Sequence, residues 1–245
     1  MTINLKTGHK LKQPIRFIYF DVDDTILDHR KAEKKALIDI HSQFEALASV
    51  SIQRLIDQYH DVNVGLWTDY GLGKIDRSHL ELNRFRFTLE ALDIQDINYD
   101  EVRTSYMNQY YKHWDWIDHA RETMISIAEK WPIGFLTNGF AEVQRAKAQK
   151  FSLYDYSDKY IISEDVGFMK PAPEIFSYAT KMAGVNPHEI LYVGDSFTSD
   201  VIGASTFGWN TAWFTTDSDP LKKSKATFVF DDFRKLTELI ENRRH

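Results

Sequence analysis

The strongest local pattern in the chain is a short apolar run that ends in carboxylates. The run covers Phe17–Phe20 and is typical of a buried strand. Asp21, Asp23 and Asp24 follow it directly. Because Asp is a poor strand former, these residues mark the carboxyl end of the predicted strand. In open parallel α/β sheets, that edge is where ligands bind.

A different pattern occupies the next stretch of the chain. Apolar residues recur at spacings of three and four from Lys31 to about Tyr59, over Ser78–Leu92 and over Tyr99–Trp116, which predicts amphipathic helices. A glycine-containing break is expected to divide them into two groups. Its glycines are Gly65, Gly71 and Gly73.

From about Asp118 onward, predicted helices and strands alternate, which favours a parallel sheet with right-handed crossovers. The predicted strands are 133–136, 160–162, 190–193, 211–214 and 227–230. The sequence therefore predicts a doubly wound, Rossmann-like α/β core with an inserted all-α cap. Residues 1–28 would hold a leader and the first core strand, residues 29–117 the cap, and residues 118–245 the rest of the core. A cap inserted there is expected to hang over the carboxyl ends of the strands.

Composition narrows the possible functions. The chain has 245 residues, 43% of them hydrophobic and 27% charged, which is ordinary for a soluble globular protein. Without cysteine, it has no disulfide, zinc–thiolate site or cysteine nucleophile. No apolar stretch reaches transmembrane length. Residues 1–14 lack the apolar segment of a secretory signal and are expected to form a poorly ordered leader. A cytoplasmic location is predicted.

The charge balance bears on partners. Thirty Lys and Arg residues stand against 36 Asp and Glu residues, a formal charge of −6. Nucleic acids and anionic membranes are usually bound by a basic face, so neither is an expected partner. We expect a monomer or a weak homo-oligomer that acts on a small molecule.

The Asp21 and Asp23 pair is the first chemical signal. Alternate residues of an extended chain point the same way, so both carboxylates can face one spot. Two carboxylates in a small site repel each other unless a cation or a shared proton intervenes. The pair therefore predicts a divalent metal, an acid–base division of labour, or both.

Other predicted strand ends carry further polar residues. Thr137 and Asn138 precede a helical stretch, and a hydroxyl with backbone amides at a helix start can bind an anion. Lys170 stands before Pro171, which favours an extended conformation at the lysine. The fourth predicted core strand ends at Gly194, Asp195 and Ser196, and Asp200 lies five residues after Asp195.

Taken in order, these segments resemble the four motifs of the haloacid dehalogenase-like (HAD) hydrolase superfamily. The matching residues are Asp21-Val-Asp23-Asp-Thr25, Thr137-Asn138, Lys170-Pro171, and Gly194-Asp195-Ser196 leading to Asp200. The resemblance spans the core from Phe17 to about Phe230. Each motif stands at its proper strand end, so the combination is specific.

The resemblance implies a mechanism for phosphate esters. Asp21 would attack phosphorus to give an aspartyl-phosphate. Asp23 would protonate the leaving alcohol and then deprotonate the hydrolytic water. Thr137 and the amide of Asn138 would bind phosphoryl oxygens, and Lys170 would neutralise charge on phosphate and nucleophile.

The resemblance also implies Mg²⁺ as the cofactor. Its ligands would be the side chains of Asp21 and Asp195 and the backbone carbonyl of Asp23, while Asp200 would act from the second shell of the metal. Charge supports this independently, because four carboxylates against the single motif cation Lys170 would repel a phosphate without a metal. Asp24 stands where glycine is common in the family and is predicted to have no catalytic role.

The four motifs are shared by several branches of the superfamily. Dehalogenases lack an acid–base carboxylate at the position of Asp23, so carbon–halogen hydrolysis is disfavoured. Phosphonatases use a cap lysine, and nothing marks a candidate here. A phosphomutase or a non-catalytic phosphate-binding protein would use the same core, although intact Asp21 and Asp23 argue against the latter.

The cap sequence points to one substrate class. The stretch 66–75, with Leu80, Arg84 and Phe85, is similar to the cap of bacterial 5′-nucleotidases that act on pyrimidine and non-standard nucleotides. The resemblance favours a nucleoside 5′-monophosphate phosphatase. The alternative is a phosphatase of sugar phosphates or other small metabolites.

Overall fold

The computed structural model describes residues 14–241. The predicted leader lies outside this range except for Pro14. The chain divides into two compact units. One contains the chain up to Asp28 together with the segment from Trp116 onward, and the other is His29–Asp115.

The first unit is built on a six-stranded sheet whose paired strands are all parallel. The strands are β1 (Phe17–Phe20), β2 (Ile133–Thr137), β3 (Tyr160–Ile162), β4 (Ile190–Gly194), β5 (Asn210–Phe214) and β6 (Phe228–Phe230). Their order is β3-β2-β1-β4-β5-β6, which is a strand order of doubly wound α/β sheets. The predicted α/β class is confirmed.

Short helices connect these strands. We number all helices of the chain in order, with α1–α4 in the second unit. Those of the first unit are α5 (Ala120–Ala128), α6 (Ala141–Lys150), α7 (Ser163–Val166), α8 (Pro173–Ala183), α9 (Gly203–Thr206), α10 (Pro220–Lys223) and α11 (Leu236–Glu241). A π-helical turn, Phe197–Ile202, precedes α9, and 3₁₀ turns cover Leu153–Asp155, Pro187–Glu189 and Phe233–Lys235.

Both faces of the sheet are covered, as the alternation in β1 shows. Ile18 and Phe20 join a core cluster with residues of α5 and α11. Phe17 and Tyr19 join a second cluster with residues of α8 and α9. Because a parallel strand is buried on both faces, it is apolar throughout, which explains the uninterrupted run in the sequence.

The second unit is helical throughout its described residues, apart from turns. Its helices are α1 (His29–Gln43), α2 (Ile52–Gly71), α3 (Arg77–Ala91) and α4 (Tyr99–His113), with a 3₁₀ turn at Glu45–Ser49. At its centre Tyr59, Phe85 and Tyr106 are nearly inaccessible, with ring centroids 5.0–5.4 Å apart.

The predicted glycine break is wrong in its extent. Helix α2 runs through Gly65 and ends at Gly71, and only Gly73, with φ of 67°, adopts the left-handed conformation that favours glycine. Burial of Leu55, Tyr59 and Leu66 along α2 outweighs the modest cost of a mid-helix glycine. The predicted helical stretch 31–59 is in turn divided by the 3₁₀ turn.

Across residues 14–241, none of the helices combines the length and apolar character needed to cross a membrane.

Candidate active site

The sequence motifs lie at the carboxyl ends of neighbouring strands. β1 pairs with β2 on one side and with β4 on the other. The backbone N–H of Asp21 donates to the carbonyl of Val193 at 2.8 Å, which holds Asp21 directly beyond β1. Thr137 is the last residue of β2, and Asp195 follows β4. The topology therefore gathers these residues at one edge.

Three carboxylates form a cluster at this edge. Asp21, Asp195 and Asp200 each place one carboxylate oxygen within 4.8 Å of the others. The hydroxyl of Thr25 lies 3.3 Å from Oδ2 of Asp21 and 3.4 Å from Oδ1 of Asp195. This is the densest acidic group of the core motifs.

Asp200 is held by the backbone before it. Its Oδ2 accepts a 2.9 Å hydrogen bond from the N–H of Ser196, and the residue is almost fully buried. A Cβ at Gly194 would overlap the Asp200 carboxylate. Glycine is therefore required at the end of β4 because the carboxylate packs against its backbone.

The ammonium of Lys170 lies among these carboxylates. Its Nζ donates to Oδ1 of Asp21 at 2.7 Å and to Oδ1 of Asp200 at 2.8 Å. A third bond, of 2.6 Å, goes to the hydroxyl of Tyr192. Burial alone would lower the pKa of Lys170, but the two carboxylates outweigh it and raise that pKa above its usual value. The ammonium therefore stays charged.

Tyr192 is a site residue that sequence reasoning missed. It lies within β4, and its hydroxyl donates to the carbonyl of Leu136 at 2.7 Å while accepting from Lys170. Burial raises the pKa of Tyr192 well above its usual value, so the phenol stays neutral. The only sequence signal was a tyrosine inside an apolar strand run.

Burial acts in the same direction on Asp21 as on Tyr192. It raises the pKa of Asp21 to about 7, although the Lys170 ammonium lowers it. The carboxylates of Asp200 and Asp23 raise it further. Burial and the neighbouring carboxylates therefore favour the protonated form of Asp21 more than water would.

Asn138 supports Lys170 rather than the carboxylates. Its side-chain Oδ1 accepts from the backbone N–H of Lys170 at 2.8 Å, and its Nδ2 donates to the carbonyl of the same residue at 3.0 Å. The Lys170–Pro171 peptide bond is cis. The motif after β2 therefore positions the lysine of the next motif.

The predicted anion cradle before α6 is partly occupied by side chains. The N–H of Gly139 donates to the hydroxyl of Ser163 at 3.1 Å, and the N–H of Ala141 donates to Glu164 at 2.7 Å. Thr137 is buried at the end of β2. The backbone N–H groups of Gly139 and Ala141 therefore already have side-chain acceptors.

Asp23 contacts a different set of donors. Nζ of Lys147 lies 2.5 Å from Oδ1 of Asp23, and Nε2 of Gln144 lies 2.8 Å from Oδ2. Both donors come from α6 and are about 1–2% exposed. They were not found from sequence, although two polar residues on the buried face of a predicted helix were a usable signal.

The backbone leaves the extended conformation directly after β1. β1 ends at Phe20, and the N–H groups of Ile26 and Leu27 both bond to the carbonyl of Val22. Asp24 has φ of 58°, the left-handed conformation that favours glycine. The chain therefore turns sharply, and strand periodicity no longer governs Asp23.

The cap residues singled out from sequence serve the packing of the helical unit. Leu80 and Phe85 are buried within it. Arg84 places its NH1 nitrogen 3.4 Å from Oδ1 of Asn63. The stretch 66–75 covers the end of α2 and the turn that follows.

The carboxylate cluster fits a hard divalent cation. Its donors are all oxygen, which Mg²⁺ prefers. The formal charge of these side chains is −2, from the carboxylates of Asp21, Asp23, Asp195 and Asp200 and the ammonium groups of Lys147 and Lys170. A divalent cation would offset that charge and favour the ionised form of Asp21.

Comparisons with known proteins show the family of the chain. A family model described as haloacid dehalogenase-like hydrolase matches residues 15–208. The chain therefore belongs to the haloacid dehalogenase-like hydrolases.

Individual relatives are phosphatases at modest identity. Pyrimidine 5′-nucleotidase YjjG of Escherichia coli is 31% identical over 201 residues, covering 80% of this chain and 84% of the relative. Glyceraldehyde 3-phosphate phosphatase of Pyrococcus furiosus is 29% identical over 245 residues, with 93% of each chain covered. The magnesium-bound crystal structure of the HAD-hydrolase YfnB from Bacillus subtilis has a TM-score of 0.81 at 25% identity. That match covers 94% of this chain and all of the YfnB chain.

Proposed function

We propose that the protein is a Mg²⁺-dependent phosphomonoester hydrolase that works through an aspartyl-phosphate. The observation that carries the proposal is the buried ammonium of Lys170, held between Asp21 and Asp200. An ammonium in this position orients the nucleophilic carboxylate and attracts an anionic substrate.

Asp21 is assigned as the nucleophile. One of its carboxylate oxygens attacks phosphorus, the bond from phosphorus to the ester oxygen breaks, and the alcohol departs. Its hydrogen bond to Lys170 and its backbone bond to Val193 hold it in one orientation before substrate binds.

Asp23 is assigned as the general acid and base. It gives its proton to the ester oxygen as the first bond breaks, so that an alcohol leaves rather than an alkoxide. It then takes a proton from the water that attacks the aspartyl-phosphate. Inorganic phosphate is released and the Asp21 carboxylate is restored.

The remaining motif residues bind the phosphoryl group and the cofactor. Thr137 and the backbone amide of Asn138 are assigned to phosphoryl oxygens, and Lys170 to charge neutralisation. Mg²⁺ would be held by the side chains of Asp21 and Asp195 and by the backbone carbonyl of Asp23. Asp200 would help to position these ligands, since it accepts hydrogen bonds from Lys170 and from the N–H of Ser196. When bound, the ion would offset charge on the phosphoryl group and the carboxylates.

A nucleoside 5′-monophosphate is the favoured substrate. Support comes from the cap sequence and from the similarity to a pyrimidine 5′-nucleotidase. A sugar phosphate or other small phosphorylated metabolite is the second candidate. It is supported by the similarity to glyceraldehyde 3-phosphate phosphatase, which extends over more of the chain.

A panel of phosphomonoesters tests both levels of the proposal. Nucleoside 5′-monophosphates, sugar phosphates and triose phosphates are assayed for phosphate release with and without Mg²⁺. We expect Mg²⁺-dependent hydrolysis with the highest kcat/KM among pyrimidine nucleotides. A higher kcat/KM for triose phosphates would favour the second candidate. Preferential turnover of a bisphosphate without net hydrolysis would indicate a mutase.

Two variants test the covalent mechanism. Asp21→Asn should abolish turnover, and Asp23→Asn should slow it by about 10²-fold or more. Asp158→Asn is the matched control, because its side chain is 87% exposed and pairs only with the neighbouring Lys159 among the contacts described. Substantial activity in Asp21→Asn would contradict an aspartyl-phosphate mechanism.

A further inference from the structure

The carboxylate of Asp23 is held at both oxygens by one helix. Lys147 donates to Oδ1 and Gln144 donates to Oδ2, at 2.5 and 2.8 Å. A donor on each oxygen restricts rotation of the carboxylate as well as its position. Lys147 and Asp23 are 124 residues apart in sequence, so the contact depends on where α6 packs.

Lys147 occupies a position that is unusual for a lysine. Its side chain is 2% exposed, and it lies on the buried face of α6 beside Ala148. Burying an ammonium is costly unless a counter-charge and hydrogen bonds compensate. The Asp23 side chain, 24% exposed, provides the counter-charge at the outer end of the lysine.

Gln144 is itself fixed by its neighbours. The hydroxyl of Tyr160, on β3, donates to the Gln144 carbonyl at 3.2 Å and lies 3.4 Å from its side-chain Oε1. A Cβ at Gly139 would come within 2.8 Å of Nε2 of Gln144. The glycine after Asn138 therefore leaves room for the amide that reaches Asp23.

We infer that Lys147 and Gln144 are positioning residues for Asp23, holding its carboxylate in the orientation needed for proton transfer. The inference rests on the proposed function, in which Asp23 is the general acid and base. Proton transfer depends steeply on the alignment of donor and acceptor, so a carboxyl group free to rotate should be a less effective acid in its protonated form and a less effective base in its ionised form.

The leaving group separates this role from a purely structural one. An alkyl ester needs a proton on its leaving oxygen, whereas p-nitrophenolate departs without one. The ratio kcat/KM reports the steps up to the first irreversible one, here formation of the aspartyl-phosphate and loss of the alcohol. A positioning residue for the acid should therefore affect kcat/KM for an alkyl phosphate far more than for p-nitrophenyl phosphate.

The experiment measures kcat/KM for both esters in wild type, Lys147→Met and Gln144→Leu at saturating Mg²⁺. We expect a loss of about tenfold to a hundredfold for the alkyl ester and less than about threefold for the aryl ester. Lys147→Arg, which retains a charged donor, should recover most of the alkyl-ester activity. Lys150→Met and Gln149→Leu, at exposed positions of the same helix, are the matched controls.

A double variant tests whether Lys147 acts through Asp23. If it does, Asp23→Asn with Lys147→Met should be no slower on the alkyl ester than Asp23→Asn alone. Additive losses, or equal losses for both esters, would overturn the inference and indicate direct phosphate binding or a structural role. Gln144→Leu decides the question independently if Lys147→Met does not fold, as judged by circular dichroism and thermal melting. A wild type inactive on both esters would overturn the proposed function and the inference with it.

Discussion

The side chain of Asn138 forms two hydrogen bonds with the backbone of Lys170. Its Oδ1 accepts from the N–H of Lys170, and its Nδ2 donates to the carbonyl of the same residue. The residue that follows β2 therefore holds the backbone of Lys170 in place. Since Lys170 in turn contacts Asp21 and Asp200, Asn138 is connected through the lysine to the proposed nucleophile Asp21.

Replacement of Asn138 by Ala should lower both activity and stability. Two hydrogen bonds to the Lys170 backbone are lost, which corresponds to roughly 1–3 kcal/mol of unfolding free energy. We expect kcat to fall at least tenfold in a phosphate-release assay. The loss of stability is measured by denaturant unfolding. Asn108→Ala, at an exposed position of α4, should leave both nearly unchanged. Wild-type kcat in Asn138→Ala would show that the lysine does not depend on this contact.

Two glycine-to-alanine changes should act in opposite directions. At Gly194 a new Cβ meets the Asp200 carboxylate, so the variant should lose most activity and some stability. At Gly65, within α2, no atom of the described residues outside the surrounding helix backbone lies within 4 Å of the new Cβ, so the variant should be stabilised by about 0.5–1 kcal/mol. Thermal melting and phosphate-release assays of both variants check this. A Gly194→Ala protein with wild-type activity would contradict the close packing at the end of β4.

Removal of divalent cations should stop turnover reversibly. A chelator would leave the net negative charge of the carboxylate cluster without a divalent counter-ion, so we expect activity to vanish and to return on addition of Mg²⁺. Asp195→Asn should raise the dissociation constant for Mg²⁺ at least tenfold, as measured by titration calorimetry. Asp158→Asn should follow the wild-type curve. Full activity in the chelated protein would exclude the assigned cofactor.

The turn before β4 should contribute to the acid sensitivity of the fold. The pKa of Glu189 is lowered by the backbone N–H of Asn186, 2.9 Å from its carboxylate, and by other neighbours that include Arg16. A carboxyl whose pKa is lowered in the folded state stabilises the protein above its unfolded pKa, near 4.5. That contribution is lost as pH falls further.

The corresponding measurement is unfolding free energy against pH for wild type and Glu189→Gln. The wild type should lose stability more steeply than the variant as pH falls below about 4.5. Above that pH the variant should be the less stable protein by a constant amount. If the two curves stayed parallel at every pH, Glu189 would not contribute to the acid sensitivity of the fold.

The sequence alone was sufficient to predict the class of fold and which polar residues lie at the carboxyl ends of the strands. Uninterrupted apolar runs identify strands buried on both faces, and their alternation with helices implies a parallel sheet. Polar residues directly after such strands must gather at one edge, which is why Asp21, Thr137 and Asp195 could be predicted without coordinates. The extent of the glycine break could not, because burial along α2 overrides the local preference of Gly65.

Only the tertiary structure decided which groups meet. The local sequence marks Lys147, Gln144 and Tyr192 only as polar residues within a buried helix face or strand, and their contacts with Asp23 or Lys170 span 22 to 124 residues. Such contacts depend on how helices pack on the sheet and on which rotamers that packing permits. The sequence by itself therefore determined the chemistry available at the strand ends, whereas packing over long sequence separations decided how each charge is paired.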